Sequence, residues 1–516
     1  MRLGIDFGTT RVVVAQVDRG NFPLVTFEAP DGQEHDWFPP VAAVKGEKRL
    51  YGWDALSAQN EVGWTVIRSL KRHLSAGSPH TVIQVAGQKI PLRQFLAEMM
   101  IALKTQLTEH SNVGADFRDG STERFDIMLG VPANANSNQR FLTEEAAQAA
   151  GFNVLGLLNE PSAAAIEFAH RNIAERKNRI GSGLVVYDLG GGTFDVSLVT
   201  LGETEHVVEA SDGIQSLGGD DFDEILAGLV LETFTQAVRL KPDERYRLLE
   251  ECREKKESLN ANTRKISIDL DRVRTGWQQV TISAEDYYDR CRPLIEQTRA
   301  VVDNLLAAYS DQALDTLYVT GGAAELPPVA RILRESFGRK VRRSAYMRSA
   351  SAIGLAIRAA ALTGEQPDLA AAAVHDQFNR NFGIWRETDH GGTIYFDLIF
   401  PKGVALPAVG EEPLRVERIY QPVHNIGHFR YLESSQLDER GQPKGEIANW
   451  EQILFPFDSG LQHHPDLASV PVSLVSDSNG LKIREEYTCD ATGNVRVNIH
   501  SEPTGYTREF TIGQSA

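Results

Sequence analysis

The segment Asp188-Leu-Gly-Gly-Gly-Thr-Phe-Asp195 combines carboxylates, glycines and a threonine within one short stretch. The apolar run ahead of it, Leu184-Val-Val-Tyr187, is typical of a buried β-strand. Glycines allow backbone N–H groups to approach an anion closely, and the threonine hydroxyl adds a further donor. The segment therefore predicts a phosphate-binding turn between two strands, with Asp188 placed to hold a divalent cation through water.

The same order of residue types occurs near the N-terminus, in Asp6-Phe-Gly-Thr-Thr10, between the apolar runs Leu3–Ile5 and Val12–Ala15. One such turn is explained equally well by a tight hairpin. Two copies indicate two similar lobes that hold one nucleotide from opposite sides. The sequence contains neither GxxxxGKS/T nor GxGxxG, which disfavours a P-loop or a Rossmann site.

Three further segments fit the same site. Leu217–Asp223 and Val319–Gly322 contain paired glycines, although each alone is an ordinary turn. Glu160 precedes a proline that suits the first turn of a helix, where the helix dipole favours a carboxylate in its charged form. Glu160 is therefore predicted to orient a water molecule, and a purely structural cap is the alternative.

Charged segments elsewhere are interpreted as solvent-exposed. Asp243–Ser258 mixes acidic and basic residues with helix formers, which predicts a solvated helix. Arg68–His73 is a basic cluster for which a solvated face is the alternative to a functional role, and Arg339–Arg343 together with Arg348 is interpreted as surface charge. By contrast, the apolar spacing within Leu92–Leu107 predicts a helix packed against a core.

The composition limits the classes of function. In 516 residues, Asp and Glu total 70 and Lys and Arg total 53, so the net charge of −17 argues against nucleic-acid binding. Three widely spaced cysteines predict neither disulfides nor a zinc site. No run approaches the roughly 18 apolar residues of a membrane span, and the N-terminus does not resemble a signal peptide. These features predict a cytoplasmic protein that binds neither nucleic acid nor membranes.

The chain is expected to contain two domains joined by a connector. Residues 1–362 alternate between strand and helix patterns, which predicts an α/β domain. Residues 363–380 differ in composition, with Gly, Pro and an alanine run, and form the connector. Residues 381–516 show almost no helix pattern and predict an all-β sandwich.

Three stretches of this last part have strand character. They are Tyr395–Phe400, Leu414–Val416 and Val495–Ile499, the last with regular alternation. Asp490–Asn494 supplies a hairpin turn ahead of Val495–Ile499.

Several motifs, taken together, resemble the 70-kDa heat-shock chaperone (DnaK-like) family. The resemblance implies an actin/hexokinase-type α/β ATPase domain of two duplicated lobes, with ATP or ADP, Mg²⁺ and K⁺ in the cleft between them. It covers the first 360 residues or so nearly continuously. The motifs that carry it are Gly4–Thr10, Val131–Ala133 with Gln139-Arg140, Asn159–Ala165, Asp188–Asp195 and Leu217–Asp223.

The resemblance also implies roles for individual residues. Asp6 and Asp188 would hold the hydrated magnesium ion, and Lys71 would position the attacking water and stabilise charge on the γ-phosphate. Pro132 and Arg140 resemble a relay that reports the nucleotide state to the second domain. The catalytic set is Lys71, Glu160, Asp188, Thr193 and Asp195. The nucleotide contacts are Gly8, Thr9, Thr10, Arg11, Gly190, Gly191, Gly192, Thr193, Gly218, Gly219, Asp220, Arg253, Lys256, Asn260, Gly321, Gly322 and Ala323.

The C-terminal part resembles the peptide-binding β-sandwich of the same family. The matching positions are Asn381–Ile384, Gly391-Gly392, Phe400–Lys402 and Leu406-Pro407. An extended peptide would bind there through main-chain hydrogen bonds and a pocket for an apolar side chain. The implied function is that of a slow ATP hydrolase and chaperone in protein folding and the stress response. Its implied partners are unfolded or hydrophobic polypeptide segments, a J-domain co-chaperone and a nucleotide exchange factor.

Four departures from the family pattern carry expectations. Glu257, Ala323 and Glu325 stand where many members have an arginine, a serine and an arginine near the adenine, so weaker ATP affinity is expected. The connector carries Ala370–Ala373 in place of a leucine run, so weaker coupling between domains is expected. The helical lid of the family is not found, and a bound peptide is expected to leave faster.

Three alternatives remain open from the sequence. One is a regulatory module that senses nucleotide, with weak or uncoupled ATPase activity, and holds one dedicated partner. A sugar kinase shares the superfold, but no substrate motif supports it. An actin-like filament protein leaves the β-rich C-terminal part unexplained.

Overall fold

The computed structural model describes most of the chain, and the described part divides into two compact units. Unit 1 comprises Met1–Ser75, Val82–Asn134 and Glu144–Val374, and unit 2 comprises Ala76–Thr81, Ala135–Thr143 and His375–Ala516. Residues 365–372 of the predicted connector and Gly391 of the family motif lie outside the described residues. The described residues are 1–75, 77–118, 124–174, 182–202, 205–309, 314–364, 373–388, 392–408, 410–475 and 480–511.

Strands and helices alternate along residues 1–375, most of which belong to unit 1. Between Met1 and Ala174 they are β1 (Arg2–Phe7), β2 (Val12–Gln16), β3 (Phe27–Glu28), β4 (Glu34–His35), β5 (Ala42–Lys45), β6 (Lys48–Tyr51), α1 (Gly52–Ser57), β7 (Thr65–Ile67), α2 (Arg72–Ser75), β8 (Val82–Val85), β9 (Gln88–Pro91), α3 (Leu92–Glu109), α4 (Gly114–Arg118), β10 (Asp126–Val131), α5 (Ser137–Ala149), β11 (Asn153–Asn159) and α6 (Glu160–Ala174). Between Ser182 and His375 they are β12 (Ser182–Leu189), β13 (Phe194–Leu201), β14 (Glu205–Ile214), α7 (Gly219–Glu232), α8 (Pro242–Glu257), β15 (Lys265–Ile268), β16 (Val280–Ser283), α9 (Ala284–Ala308), β17 (Leu314–Thr320), α10 (Pro327–Phe337), β18 (Val341–Arg343), α11 (Ala350–Leu362) and β19 (Ala373–His375).

The two large sheets of unit 1 share one arrangement. In the first sheet β1 pairs antiparallel with β2 and parallel with β10, which pairs parallel with β11. In the second, β12 pairs antiparallel with β13 and parallel with β17, which pairs parallel with β18. β14 and β19 extend the second sheet beyond β13. The two predicted phosphate turns therefore join the corresponding pairs of strands, β1 to β2 and β12 to β13.

The alanine-rich helix α11 packs closely against the alanine-rich helix α6 and against β1. A Cβ atom added at Gly354 of α11 would lie 1.8 Å from the carbonyl oxygen of Ala163, and one added at Gly4 of β1 would lie 2.2 Å from the backbone nitrogen of Ala356. Glycine is required at both positions because the neighbouring backbone leaves no room for a side chain. This packing fixes the start of α6, which carries Glu160, against the first sheet.

Helix α8 is packed into the protein core, contrary to the expectation of a solvated helix. Its position agrees with the predicted helix, but Tyr246, Leu248 and Cys252 are buried in the core of unit 1. Its acidic side chains are also buried in part, because arginines from distant segments pair with them. Arg274, for example, binds Glu244 through both Nε and Nη2, at 2.7 and 2.6 Å. The interpretation of α8 as a solvated helix is therefore wrong.

Unit 2 contains a β-sandwich. One sheet has the order β21-β20-β23-β24 and the other β22-β25-β26-β27. All pairings within the two sheets are antiparallel. The strands are β20 (Asn381–Thr388), β21 (Thr393–Phe400), β22 (Leu414–Tyr420), β23 (Ile426–Leu437), β24 (Pro443–Pro456), β25 (Ile483–Cys489), β26 (Val495–Ser501) and β27 (Thr507–Thr511).

The predicted strands Tyr395–Phe400, Leu414–Val416 and Val495–Ile499 are confirmed within β21, β22 and β26. The turn at Asp490–Asn494 is confirmed as well, since Gly493 donates to the carbonyl of Asp490 at 3.0 Å. A further strand, β27, follows β26 and was not foreseen.

Two other features follow the sequence directly. Helix α3 buries Leu92, Phe95, Leu96, Met99 and Leu103, as the apolar spacing predicts. All three cysteines are buried and free. No described helix is both long and apolar enough to cross a bilayer.

Candidate functional site

The two glycine-containing turns of unit 1 lie directly against each other. A Cβ atom on Gly191 would lie 2.1 Å from Oγ1 of Thr10, and one on Gly192 would lie 2.6 Å from Oγ1 of Thr9. Side chains at either glycine would therefore displace the threonines of the opposite turn. The two turns form one surface of backbone and hydroxyl groups, which suits an anion.

The two other glycine elements contact the second of these turns. The backbone N–H of Gly219 donates to the carbonyl of Gly190 at 3.0 Å, and that of Asp220 donates to Gly191 at 2.8 Å. Gly321 has φ of +90°, and a Cβ there would lie 2.3 Å from the carbonyl of Leu189. All four glycine segments that the sequence singled out thus converge.

Four carboxylates and one ammonium group lie beside the turns. Lys71 and Glu160 are buried and form a short ion pair with each other. Burial, and then the negative charge of Glu160, raise the pKa of Asp6 and of Asp195 to about 7. The same causes raise the pKa of Asp188 well above its ordinary value. Burial by itself lowers the pKa of Lys71, but the attraction of Glu160 and Asp6 outweighs it and the pKa is raised.

This cluster fits a hydrated divalent cation. Oδ1 of Asp6 is buried and has no hydrogen-bond partner among the described residues. The negative charge of Asp6 also contributes to raising the pKa of Asp188, and a cation between the two carboxylates would relieve this repulsion. Within the described ranges, no three His, Cys, Asp or Glu side chains form a direct metal-binding cluster, so the assignment rests on Asp6 and Asp188.

The converging elements line one cleft. It contains most of the residues predicted to contact a nucleotide. The predicted residues in the lining are Asp6, Gly8, Thr9, Thr10, Arg11, Lys71, Glu160, Asp188, Gly190, Gly191, Thr193, Gly219, Arg253, Lys256, Gly321, Gly322 and Ala323. The others that line it are Val13, Glu257, Thr320, Met347, Arg348, Ala350 and Ser351.

Five predicted residues lie outside this lining. Gly192 and Gly218 pack behind the second turn, where a Cβ on Gly218 would lie 2.6 Å from the nitrogen of Gly192. Asp220 accepts hydrogen bonds from Arg68 at 2.9 Å and from Ser69. Asp195 is buried and accepts from the backbone N–H of Asn134 at 3.3 Å.

The fifth residue, Asn260, lies in the turn after α8. Its side-chain oxygen accepts a hydrogen bond from the backbone N–H of Asn262 at 2.9 Å. In this arrangement Asn260 shapes the turn.

The basic segment Arg68–His73 is not a solvated face. Lys71 is 6% exposed. Arg68 donates to Asp220 and to Asp223, at 2.9 Å in both cases. The alternative of a solvated face is therefore wrong, because Glu160 is the buried partner of Lys71 and α7 supplies Asp220 and Asp223 as partners of Arg68.

Four charged side chains meet at the rim of the cleft, and we name Arg11, Glu257, Glu325 and Arg348 the rim network. Oε2 of Glu257 accepts from Nη2 of Arg11 at 2.5 Å and from Nη1 of Arg348 at 3.1 Å. Arg348 also donates to Glu325 through Nε at 2.7 Å. The interpretation of Arg348 as surface charge is therefore wrong. Its partners lie far away in the sequence, so no local pattern indicated its position.

Unit 2 contains a groove at the side of the sandwich where β21 and β22 are edge strands. Apolar side chains at its border are exposed, among them Ile394, Tyr395 and Ile419. The family motif residue Ile384 also lines it.

Charged groups lie in the same groove. Arg386 donates to Asp397 at 2.7 Å and to the buried Glu485 at 2.6 Å, and Arg418 donates to Asp397 at 2.9 Å. These ion pairs join β20, β21, β22 and β25. The groove therefore combines an apolar border with a set of ion-paired charged groups.

The family model and the individual relatives that match this chain all belong to one group of proteins. The family model described as Hsp70 protein matches residues 2–384. A chaperone protein HscA homolog of Methylibium petroleiphilum is 33% identical over 379 residues, which are 70% of this chain and 58% of that protein. One of Vibrio parahaemolyticus is 31% identical over 538 aligned positions, covering 99% of this chain and 78% of that protein. The chaperone protein DnaK of Deinococcus proteolyticus is 30% identical over 394 residues, which cover 70% of this chain and 59% of that protein. The chain thus spans less than two thirds of the length of the first and third of these relatives.

Proposed function

This chain belongs to the Hsp70 family, and from that premise we propose that it is an ATP-dependent chaperone. Unit 1 would bind and slowly hydrolyse ATP, and unit 2 would bind apolar segments of unfolded polypeptides. The observation that carries the proposal is the buried pair of Lys71 and Glu160 beside two facing glycine turns. Phosphoryl transfer needs positioning and electrostatic stabilisation, and this set of groups supplies both.

Each group in the cleft has a distinct task. The turns that contain Thr10 and Gly191 would hold the phosphates. Lys71 would place its charge where negative charge increases in the transition state, and Glu160 would hold Lys71 and orient the attacking water. A magnesium ion held through water by Asp6 and Asp188 would supply charge neutralisation.

The groove of unit 2 supports the second half of the proposal. β21 and β22 are edge strands, so their backbone groups are available to an extended peptide. The exposed Ile394, Tyr395 and Ile419 would contact its apolar side chains. A J-domain co-chaperone and a nucleotide exchange factor are the partners that we propose for such a cycle.

A second candidate function is a regulatory module that senses nucleotide and holds one dedicated partner. The charged interior of the groove favours it. Arg386, Asp397 and Arg418 would recognise a polypeptide of defined charge pattern more readily than a generic apolar one.

Single-turnover ATP hydrolysis with and without an unfolded apolar peptide distinguishes the two functions. Hydrolysis that is slow alone and faster with peptide supports the chaperone. A hydrolysis rate that does not change when peptide is added, together with capture of one stoichiometric partner, supports the regulatory module. Purified protein that neither binds nor hydrolyses ATP contradicts both.

A further inference from the structure

The guanidinium group of Arg348 is held at its edges by two carboxylates. Nε donates to Oε2 of Glu325 at 2.7 Å, Nη2 forms an ion pair with the same oxygen at 2.5 Å, and Nη1 donates to Oε2 of Glu257 at 3.1 Å. These N–H donors lie in the plane of the group, so the contacts fix its orientation and do not cover its flat faces. A planar cation held in this way is a surface on which a planar aromatic ring can stack.

Arg348 lies at the far end of a path that begins at the phosphate turns. A Cβ on Gly219 would lie 3.5 Å from Cα of Gly191 and 3.5 Å from Cβ of Ala323. A Cβ on Gly322 would lie 3.7 Å from Cγ of Arg348, so the stem of the arginine lies along the Gly322 backbone. A nucleotide with its phosphates at Gly191 would follow this path, with its base towards Arg348.

The neighbouring cations are already engaged in other contacts. Lys256 forms an ion pair with Asp223 at 2.6 Å and donates to the carbonyl of Gly219 at 2.7 Å. Arg253 forms an ion pair with Glu250. The guanidinium of Arg11 lies over the ring of Trp37, 4.9 Å from its centroid, so that one of its faces is covered.

We propose that Arg348 is the residue on which the base of the bound nucleotide stacks, and that Glu257 and Glu325 position it. The proposal rests on the proposed function, because it needs a nucleotide in this cleft. It also revises the expectation of weak ATP affinity. The carboxylates at Glu257 and Glu325 do not simply remove arginine contacts, since they orient an arginine that comes from another segment.

The test compares a ligand that has a base with one that lacks it. Affinities of the full-length chain for ADP and for inorganic pyrophosphate, each with magnesium, are measured by titration calorimetry. Arg348→Lys keeps the charge and removes the flat surface, and Arg348→Ala removes both. A stacked cation contributes about 0.5–2 kcal/mol, so ADP binding by either variant should weaken by roughly 2- to 30-fold while pyrophosphate binding stays unchanged. Arg343→Lys, at an exposed position of β18, is the matched control and should change neither affinity.

Glu325→Gln tests the positioning role without touching Arg348. It should lower the ratio of ADP affinity to pyrophosphate affinity, by less than the arginine variants do. A change confined to thermal stability, with that ratio unaltered, would contradict the positioning role.

The remaining outcomes are also decisive. An equal loss of ADP and pyrophosphate binding in Arg348→Lys would overturn the proposal, because the residue would then act through general electrostatics. Unchanged ADP binding in both arginine variants would overturn it as well. A wild-type chain that binds neither ADP nor pyrophosphate would refute the proposed function itself. This outcome differs from those that refute only the stacking role of Arg348.

Discussion

The cleft of unit 1 has two ends that are built in different ways. At the phosphate end, glycine turns approach so closely that a Cβ on Gly191 would lie 2.1 Å from a threonine oxygen, and Lys71 is 6% exposed. At the rim, long side chains from four separate segments meet, and they are between 24% and 37% exposed. The first end depends on backbone geometry and burial, and the second on charge complementarity between flexible side chains. Single substitutions should therefore abolish function at the first end and reduce it gradually at the second.

The largest effect is expected for Gly191→Ala. The added methyl group would displace Thr10 and separate the two turns, and a misplacement of about 1 Å at a reaction centre costs roughly 100-fold. We expect kcat/KM for ATP to fall by at least that factor. Gly228→Ala is the control, because no atom of the described residues lies within 4 Å of a Cβ at that position of α7. Normal hydrolysis by Gly191→Ala would contradict the close approach of the turns.

Glu160→Gln should have the next largest effect. It preserves the shape of the side chain but removes the charge that holds Lys71 and would orient water. We expect single-turnover hydrolysis to slow by about 100-fold, with nucleotide affinity nearly unchanged. Glu109→Gln, at an exposed position at the end of α3, should hydrolyse ATP at the wild-type rate. A Glu160→Gln rate equal to that of the control would leave only the helix cap as its role.

Glu257→Gln should have the smallest effect. It weakens both ion pairs of a partly exposed network, and such pairs contribute about 0.2–1 kcal/mol each. We expect ADP affinity to fall about 2- to 5-fold, and the difference from wild type to shrink as salt rises. Glu254→Gln is the matched control on the same helix, because Glu254 pairs with Arg272 and does not line the cleft. A loss that is large and independent of salt would show that the rim behaves like the phosphate end.

The same contrast explains what the sequence could predict. The turns after β1 and β12 were predictable because their carboxylates, glycines and threonines lie within a few residues of each other. The sandwich strands were predictable because alternation is a local property, as in β26, where Val495, Val497 and Ile499 are all buried.

The errors concern charges whose partners are distant in the sequence. Arg348 was interpreted as surface charge because Glu257 and Glu325 come close to it only in the fold. Helix α8 was interpreted as solvated because its pairing with Arg274 is equally non-local. Hydropathy and charge patterns describe each side chain alone, whereas its exposure depends on whether a partner of opposite charge reaches it.

The catalytic role of the cleft is tested most directly by whether Lys71→Ala separates ATP binding from ATP hydrolysis. Single-turnover hydrolysis and nucleotide affinity are measured for this variant, for wild type and for Lys89→Ala, an exposed lysine in β9. We expect hydrolysis by Lys71→Ala to fall by about 100-fold or more, its affinity for ATP to be retained, and Lys89→Ala to equal wild type. Hydrolysis at the wild-type rate in Lys71→Ala would contradict the assignment of this cleft as the catalytic site.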